Sequence, residues 1–489
     1  MKRISIVVLI ALCAVEVRAQ TKLTFDGALQ RALEVNNTIE RSLQDVAVAQ
    51  SNKDYLLSAV MPKITLSGDL TRNSIEQSFG GEGEDSVTIL PRNDWAYRVI
   101  LSQPIFAGRR ELRAYSQAKI AIENAREGTR AATDSILLRV SSSYLAIVNA
   151  DRRVEVERRN IELAQKRLDQ AQAFYEAGEV TKVDVLRAET AMKAAQRLAA
   201  VAVQQREHAV AQLRTDLDLD GAIEVTAPER ALTALPSESD LIARATSSRP
   251  DIDIAENNIR IAALEVQKQR GFWLPTVTFD GGFIQQRTPF PASKYSYGAF
   301  RFNVPIFQAG EVHARVAAAK SVEKQAELDL EDAKLIARED IHRAFADLRS
   351  AETGLQLANE QLKAAQAEYD QAFDLYRAQE ATSLDVSASE TSLADARRAV
   401  AEETLNRDLA ELRVWYAAGA MTDAVKLIHQ SGKNQSGGRQ SAAGSSHLPA
   451  TTPPAADIIV EPSNHPTSTQ TSPTSGAVST ADRRLPTAD

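Results

Sequence analysis

The 489-residue sequence has one cysteine, Cys13. It falls inside an N-terminal segment that reads as a secretory signal. Lys2 and Arg3 are followed by an apolar stretch from Ile4 to Val15, and Val17-Arg18-Ala19 places small residues for cleavage before Gln20. The residue before Cys13 is Leu12, too large for a lipoprotein signal. The mature chain then has no thiol, which excludes disulfides, zinc–thiolate sites and cysteine nucleophiles. Proline is absent from 105–227 and again from 306–448. Glycine occurs in the first of these runs only at Gly108, Gly128, Gly178 and Gly221. Such breaker-free stretches, rich in Ala, Leu, Glu, Gln, Lys and Arg, imply very long helices. A basic excess is also missing. The net charge is −8, which argues against a nucleic-acid partner. The six histidines lie far apart, and no phosphate loop, dinucleotide fingerprint or nucleophile elbow is present. No metal, cofactor or enzymatic activity is expected.

What is present is a duplication. Pro104-Ile105-Phe106 recurs as Pro305-Ile306-Phe307, and the stretch Tyr175 to Val185 recurs as Tyr376 to Val386 at the same offset. Upstream, Asn37 matches Pro250 and Pro62 matches Pro275, and the offset there is larger by twelve residues. The repeat is too long for a solenoid unit and is fold-sized. The expected organisation is a signal (1–19), a first repeat (20–220), a linker (221–237), a second repeat (238–430) and a Ser/Thr/Pro-rich tail (431–489). That tail cannot bury enough apolar surface to fold.

Each repeat predicts the same order. A helix comes first (27–58; 238–270), then two extended segments, a long helix (109–176; 310–377) and a returning helix (181–216; 382–416). The second long helix carries a seam at alternating three and four spacing, from Ile341, Ala344 and Leu348 to Tyr369, Ala372 and Tyr376. The first repeats it from Val140 to Tyr175, with Glu157 at one seam position. A helix of that length is ~100 Å long, and two shorter helices end to end match it.

Between the helices, four segments of about ten residues alternate apolar and polar side chains, the length of a membrane-spanning strand. Ile64, Leu66 and Leu70 form one such row, Trp95, Tyr97, Val99 and Leu101 a second. Val277, Phe279 and Phe283 form a third, Phe300, Phe302 and Val304 a fourth. Aromatic residues gather at their ends, as at a membrane interface. Four strands cannot close a barrel, so the barrel must be shared between chains: eight strands in a dimer, twelve in a trimer. The polar segment 73–94 reads as an exposed loop. An exported coiled-coil structural protein without a pore is the alternative, and it leaves the strands unexplained.

Duplicated units with Pro-Ile-Phe after the second strand and a Tyr-x-Ala-Gly-x-x-Thr-x-x-Asp-Val turn resemble the TolC family of outer-membrane efflux proteins. The resemblance covers about 21–425 and implies a mainly α fold with a small β part. Long antiparallel coiled-coil helices would form an α-barrel in the periplasm. Four strands per chain would contribute to a homotrimeric twelve-stranded transmembrane β-barrel in outer-membrane lipid. It implies a channel-tunnel of a tripartite efflux or type I secretion system, fed by an inner-membrane pump through a periplasmic adaptor. The helix–turn–helix tips, 174–186 and 375–387, would then dock the adaptor. The residues implied are Gly178, Thr181 and Val185 in the first copy and Gln379, Thr382 and Val386 in the second, with Gln379 standing where the family usually has Gly. Gly178 reads as a left-handed helix cap, and Thr181 and Thr382 as N-caps. Asp385 matches a family position that narrows the periplasmic entrance, and with it Asp184, its counterpart in the first copy, is a candidate gate residue. Three copies of Asp385 would make a carboxylate ring favouring cations. The plain reading of Asp385 and Asp184 is a first-turn acid complementing the helix dipole.

Overall fold

A chain this rich in helix formers uses its few breakers as punctuation. The computed structural model describes residues 21–80, 87–226, 235–289 and 291–425. The signal, the tail and part of the 221–237 linker lie outside them. In chain order the elements are β1 (Thr21–Leu23), α1 (Phe25–Val35), α2 (Asn37–Ser58), β2 (Lys63–Arg72), β3 (Gln77–Phe79), β4 (Val87–Leu90), β5 (Asn93–Ala107), α3 (Arg110–Glu176) and α4 (Lys182–Leu217). The second half has β6 (Ile223–Val225), α5 (Glu238–Ser248), α6 (Pro250–Arg270), β7 (Thr276–Gln286), β8 (Lys294–Asn303), α7 (Glu311–Arg377) and α8 (Ser383–Ala417).

The long and returning helices begin and end within a residue or so of the sequence reading. The opening helices differ. Each expected single helix is two, broken at Asn36 and at Arg249. Asn36 closes one helix, its amide donating to Ala32 O at 3.2 Å, and opens the next, its side-chain oxygen accepting from the Thr38 amide at 2.9 Å. In the second copy Pro250 forces its predecessor Arg249 out of the helical region (φ −72°, ψ 141°). Asn37 and Pro250 are the residues that align, so both copies break at the same place. The 73–94 segment also differs from a plain loop. β3 and β4 pair antiparallel within it.

Helices and strands follow one lateral order. The four large strands form an antiparallel sheet β2–β5–β7–β8. Below it α2, α3, α6 and α7 pack in the corresponding order. Beyond the middle of α3 and α7, α4 packs on α3, α3 on α8 and α8 on α7. The largest core sits between these two tiers. There Leu29, Leu137, Leu213, Leu241, Ile341, Trp415 and Met421 are buried together. Tyr144, fully buried, pins the parallel β1–β6 pair. Its hydroxyl lies 3.0 Å from Leu23 O and 2.5 Å from Thr226 O. The seam residues are buried or half-buried throughout α7. In α3 the last of them, Tyr175, is exposed beside the Lys182 ammonium.

The sheet register sorts its side chains onto two faces. Ile64 pairs with Leu101, Leu66 with Val99, Val99 with Phe283, and Phe279 with Phe300. Since the side-chain period of a strand is two, one face is an apolar row. The other carries Asp69 bonded to Arg98, and Asp280, which accepts from Ser102 at 2.7 Å and pairs with Arg301 at 2.8 Å. Phe300 and Phe302 remain about three-quarters exposed. Among the described residues, β2 and β8 each pair on one side only. No helix among the described residues is long and apolar enough to cross a membrane.

Candidate functional site: the paired helical tips

The two helix–turn–helix tips have the same backbone solution built from different residues. After α3, Gly178 takes φ +80° and the Glu179 amide returns to Phe174 O at 2.8 Å. After α7, Gln379 takes φ +63° and the Glu380 amide returns to Leu375 O at 2.9 Å. A left-handed residue lets the chain reverse while satisfying the last helical carbonyls. Glycine does so without strain, whereas glutamine carries a side chain there.

Each returning helix then opens on a capping box. The Thr181 amide and hydroxyl donate to Asp184 Oδ2 at 3.2 and 2.8 Å. The Thr382 amide and hydroxyl donate to Asp385 Oδ2 at 2.9 and 2.6 Å, and Thr382 Oγ1 accepts from the Asp385 amide at 3.3 Å. The Thr residues are thus the N-caps expected from sequence. The Asp residues stand at the third helical position, where an acid complements the helix dipole.

The two acids differ in what else they touch. Asp184 is bonded to the Ser383 hydroxyl at the start of α8. That bond, with the Thr181 hydroxyl, holds its carboxyl below the ordinary range. Asp385 is fully exposed and held low by the Thr382 hydroxyl and amide alone. Asp184 is therefore a link between the two tips, and Asp385 has no bond outside its own cap among the described residues.

Three further contacts tie the tips together, and sequence reading found none of them. Gln379 Nε2 donates to Glu179 Oε2 at 3.0 Å. The Phe174 and Tyr376 rings lie 5.7 Å apart. Arg167, almost fully buried on α3, donates to Glu390 on α8 at 3.0 Å and to Ser383 O at 2.9 Å. The partners are two hundred or so residues apart, and no local pattern marks them.

Val185 and Val386 are buried within their own helix pairs and shape the tips from inside. Among the exposed apolar side chains here are Val183, Leu186 and Leu384. With Thr190, Ala194 and Ser387 they line an open groove of about 490 Å³ between the first turns of α4 and α8.

A sheet with one apolar face, open at both edges and continued by helices far longer than a compact domain needs, is matched among known proteins. The profile of the family described as outer membrane efflux protein matches residues 28–217 and 241–420. The chain is 23% identical over 406 residues to the outer membrane efflux protein BepC of Brucella suis, covering 82% of this chain and 86% of that protein. It is 25% identical over 407 residues to the pyoverdine export outer membrane protein OpmQ of Pseudomonas aeruginosa, covering 81% and 84%. The Campylobacter jejuni CmeC outer membrane channel superposes with a TM-score of 0.68 at 16% identity, over 83% of this chain and 89% of that one. The open state of the Neisseria gonorrhoeae MtrE outer membrane channel gives 0.67 at 18%, over 81% and 89%. A pore-less coiled-coil rod accounts for none of this. The chain belongs to the outer membrane efflux protein family, whose members are transport channels of the outer membrane.

Proposed function

We propose that three copies of this chain close into one conduit, which receives substrate from an inner-membrane pump through a periplasmic adaptor. The observation that carries this reading is the sheet: apolar on one face, polar on the other, with the outer edges of β2 and β8 unpaired among the described residues. An unpaired edge in hydrocarbon leaves backbone groups without partners, so the edges must meet those of other copies. Two copies give eight strands, a barrel whose interior is filled by side chains. Three give twelve and room for passage. Sedimentation of the detergent-solubilised protein should yield a trimer. A stable monomer or dimer in the outer membrane would reject the arrangement.

Asp385 is the proposed gate residue. It is exposed and bonded only within its own cap, so three copies converging at the closed end would place three unneutralised carboxylates together. Asp184 acts with it by holding the tips to each other through Ser383. Single-channel recording of Asp385→Ala tests this. Loss of cation preference is expected, and unchanged conductance and ion preference would remove Asp385 from the gate.

The adaptor is proposed to dock on the tip turns around Gly178, Thr181, Gln379 and Thr382. Its apolar contacts would be made by Val183, Leu186 and Leu384, which are exposed, with Val185 and Val386 as the buried supports. Leu186→Glu should abolish copurification with the adaptor while leaving the trimer intact.

A further inference from the structure

The chain is acidic overall, but the junction between sheet and helices is not. Segments 105–115, 268–275 and 304–316, where β5 enters α3, α6 enters β7 and β8 enters α7, carry six Lys or Arg against two Glu, and of these Lys268 is paired with Glu265 and Arg315 with Glu311. The whole chain stands at −8. Among the described residues, the side chains of Arg109, Arg113 and Arg270 have no ion-pair or hydrogen-bond partner. The Arg110 and Arg315 guanidiniums both lie over one ring, Phe272, at 4.4 and 4.8 Å from its centroid, and Arg315 also pairs with Glu311.

The same level exposes large apolar side chains. Phe307 is 86% and Ile306 is 94% exposed, and Leu112, one turn from Arg109 on α3, is 54% exposed. Trp273 is also half-exposed, with its ring on His313 at 5.1 Å. Ile306 and Phe307 follow directly on β8, whose Phe300 and Phe302 are exposed as well. This belt lies at the end from which the periplasmic helices depart, and so at the inner leaflet of the outer membrane. Trp with exposed aliphatics at a sheet end marks the headgroup level, and cations there meet lipid phosphates.

We infer that this junction is a binding belt for anionic phospholipid, in which Arg109, Arg113 and Arg270 engage headgroup phosphates of the inner leaflet. The exposed Ile306, Phe307 and Trp273 enter the lipid beside them. Neutral phosphatidylcholine offers the same acyl chains and a phosphate already balanced by its own cation, so it separates charge recognition from simple immersion. Each cation near an anionic surface strengthens binding about fivefold.

The test uses the full chain, purified in detergent and titrated with phosphatidylglycerol or phosphatidylcholine, with bound lipids counted by native mass spectrometry. The wild-type protein should retain phosphatidylglycerol at least about fivefold more strongly. The R109Q/R113Q/R270Q variant should bring the ratio near one, and Arg197→Gln, on α4 and far from the junction, should leave it unchanged. A ratio near one in the wild-type protein, or an undiminished ratio in the triple variant, would overturn the assignment. If the triple variant does not assemble, the wild-type ratio alone decides.

Discussion

Glu157 on α3 and Arg398 on α8 form a two-point ion pair, Nε and Nη2 of the arginine donating to the carboxylate at 2.7 and 3.1 Å. Glu157 occupies a seam position that is Ala358 in the second copy, and its side chain is 2% exposed. Burial alone would raise its pKa, but the Arg398 hydrogen bonds and the Asn160 amide outweigh that and hold it low. Removing one partner of a buried pair strands the other charge and costs about 3–5 kcal/mol. Arg398→Ala should therefore lower thermal stability in detergent strongly. Glu157→Ala, which restores the alanine of the second copy's seam and leaves the more exposed Arg398 still paired with Asp395, should cost much less. A folded pKa below the unfolded one contributes stability present at neutral pH and lost as pH falls through the folded value. The difference between wild type and Glu157→Ala should shrink in acid.

Glu411 has the opposite sign. It is buried on α8, 3.6 Å from Arg407. Burial pushes its carboxyl up from 4.5 to about 7, against the Arg407 charge and helped by Asp408 and Glu352. The folded chain then holds a proton that the unfolded chain releases. Its contribution is full below about 4.5 and is lost as pH rises toward 7. Glu411→Gln should abolish that slope and stabilise the protein at pH 8 by roughly 2–4 kcal/mol. Thermal melts of both proteins across the range check it. Parallel curves would reject the assignment.

The tip turns separate backbone strain from packing. A Cβ at Gly178 would meet nothing within 4 Å, so Gly178→Ala tests the φ of +80° alone. It should destabilise that turn by ~1–2 kcal/mol. Gln379→Gly should do the reverse for the second turn, less the contact to Glu179. Hydrogen exchange at the Glu179 and Glu380 amides, which close the two turns, should speed up in the first variant and slow in the second.

How far these features were readable depends on whether their cause is local. The long helices end where Gly178 and the capping threonines say so, because reversal needs a left-handed residue and a side-chain acceptor within a few positions. Pro250 and Asn36 were equally local, yet both suit the first turns of a helix, so nothing short of their geometry told a break from a continuation. β1 and β6 are three residues each and pair across two hundred, too short for any periodicity. Arg167 and Glu390, or Ser383 and Asp184, meet only because two coiled coils lie side by side. Duplication exposes the likeness of the halves and says nothing about which side chains face each other across them.

The sheet's sidedness gives a comparison within one strand. Leu66 lies in the apolar row opposite Val99, and its neighbour Thr65, opposite Ile100, lies on the face with the Asp69–Arg98 and Asp280–Arg301 pairs. An arginine facing lipid near the middle of a barrel strand costs about 2–4 kcal/mol, and one facing a watery interior costs little. Leu66→Arg should deplete the protein from the outer-membrane fraction, and Thr65→Arg should leave its recovery close to wild type. Both variants add the same charge one residue apart in the same strand, so general damage to β2 would affect them alike. If Thr65→Arg were the one excluded from the membrane, the faces would be reversed and the apolar row would line the passage.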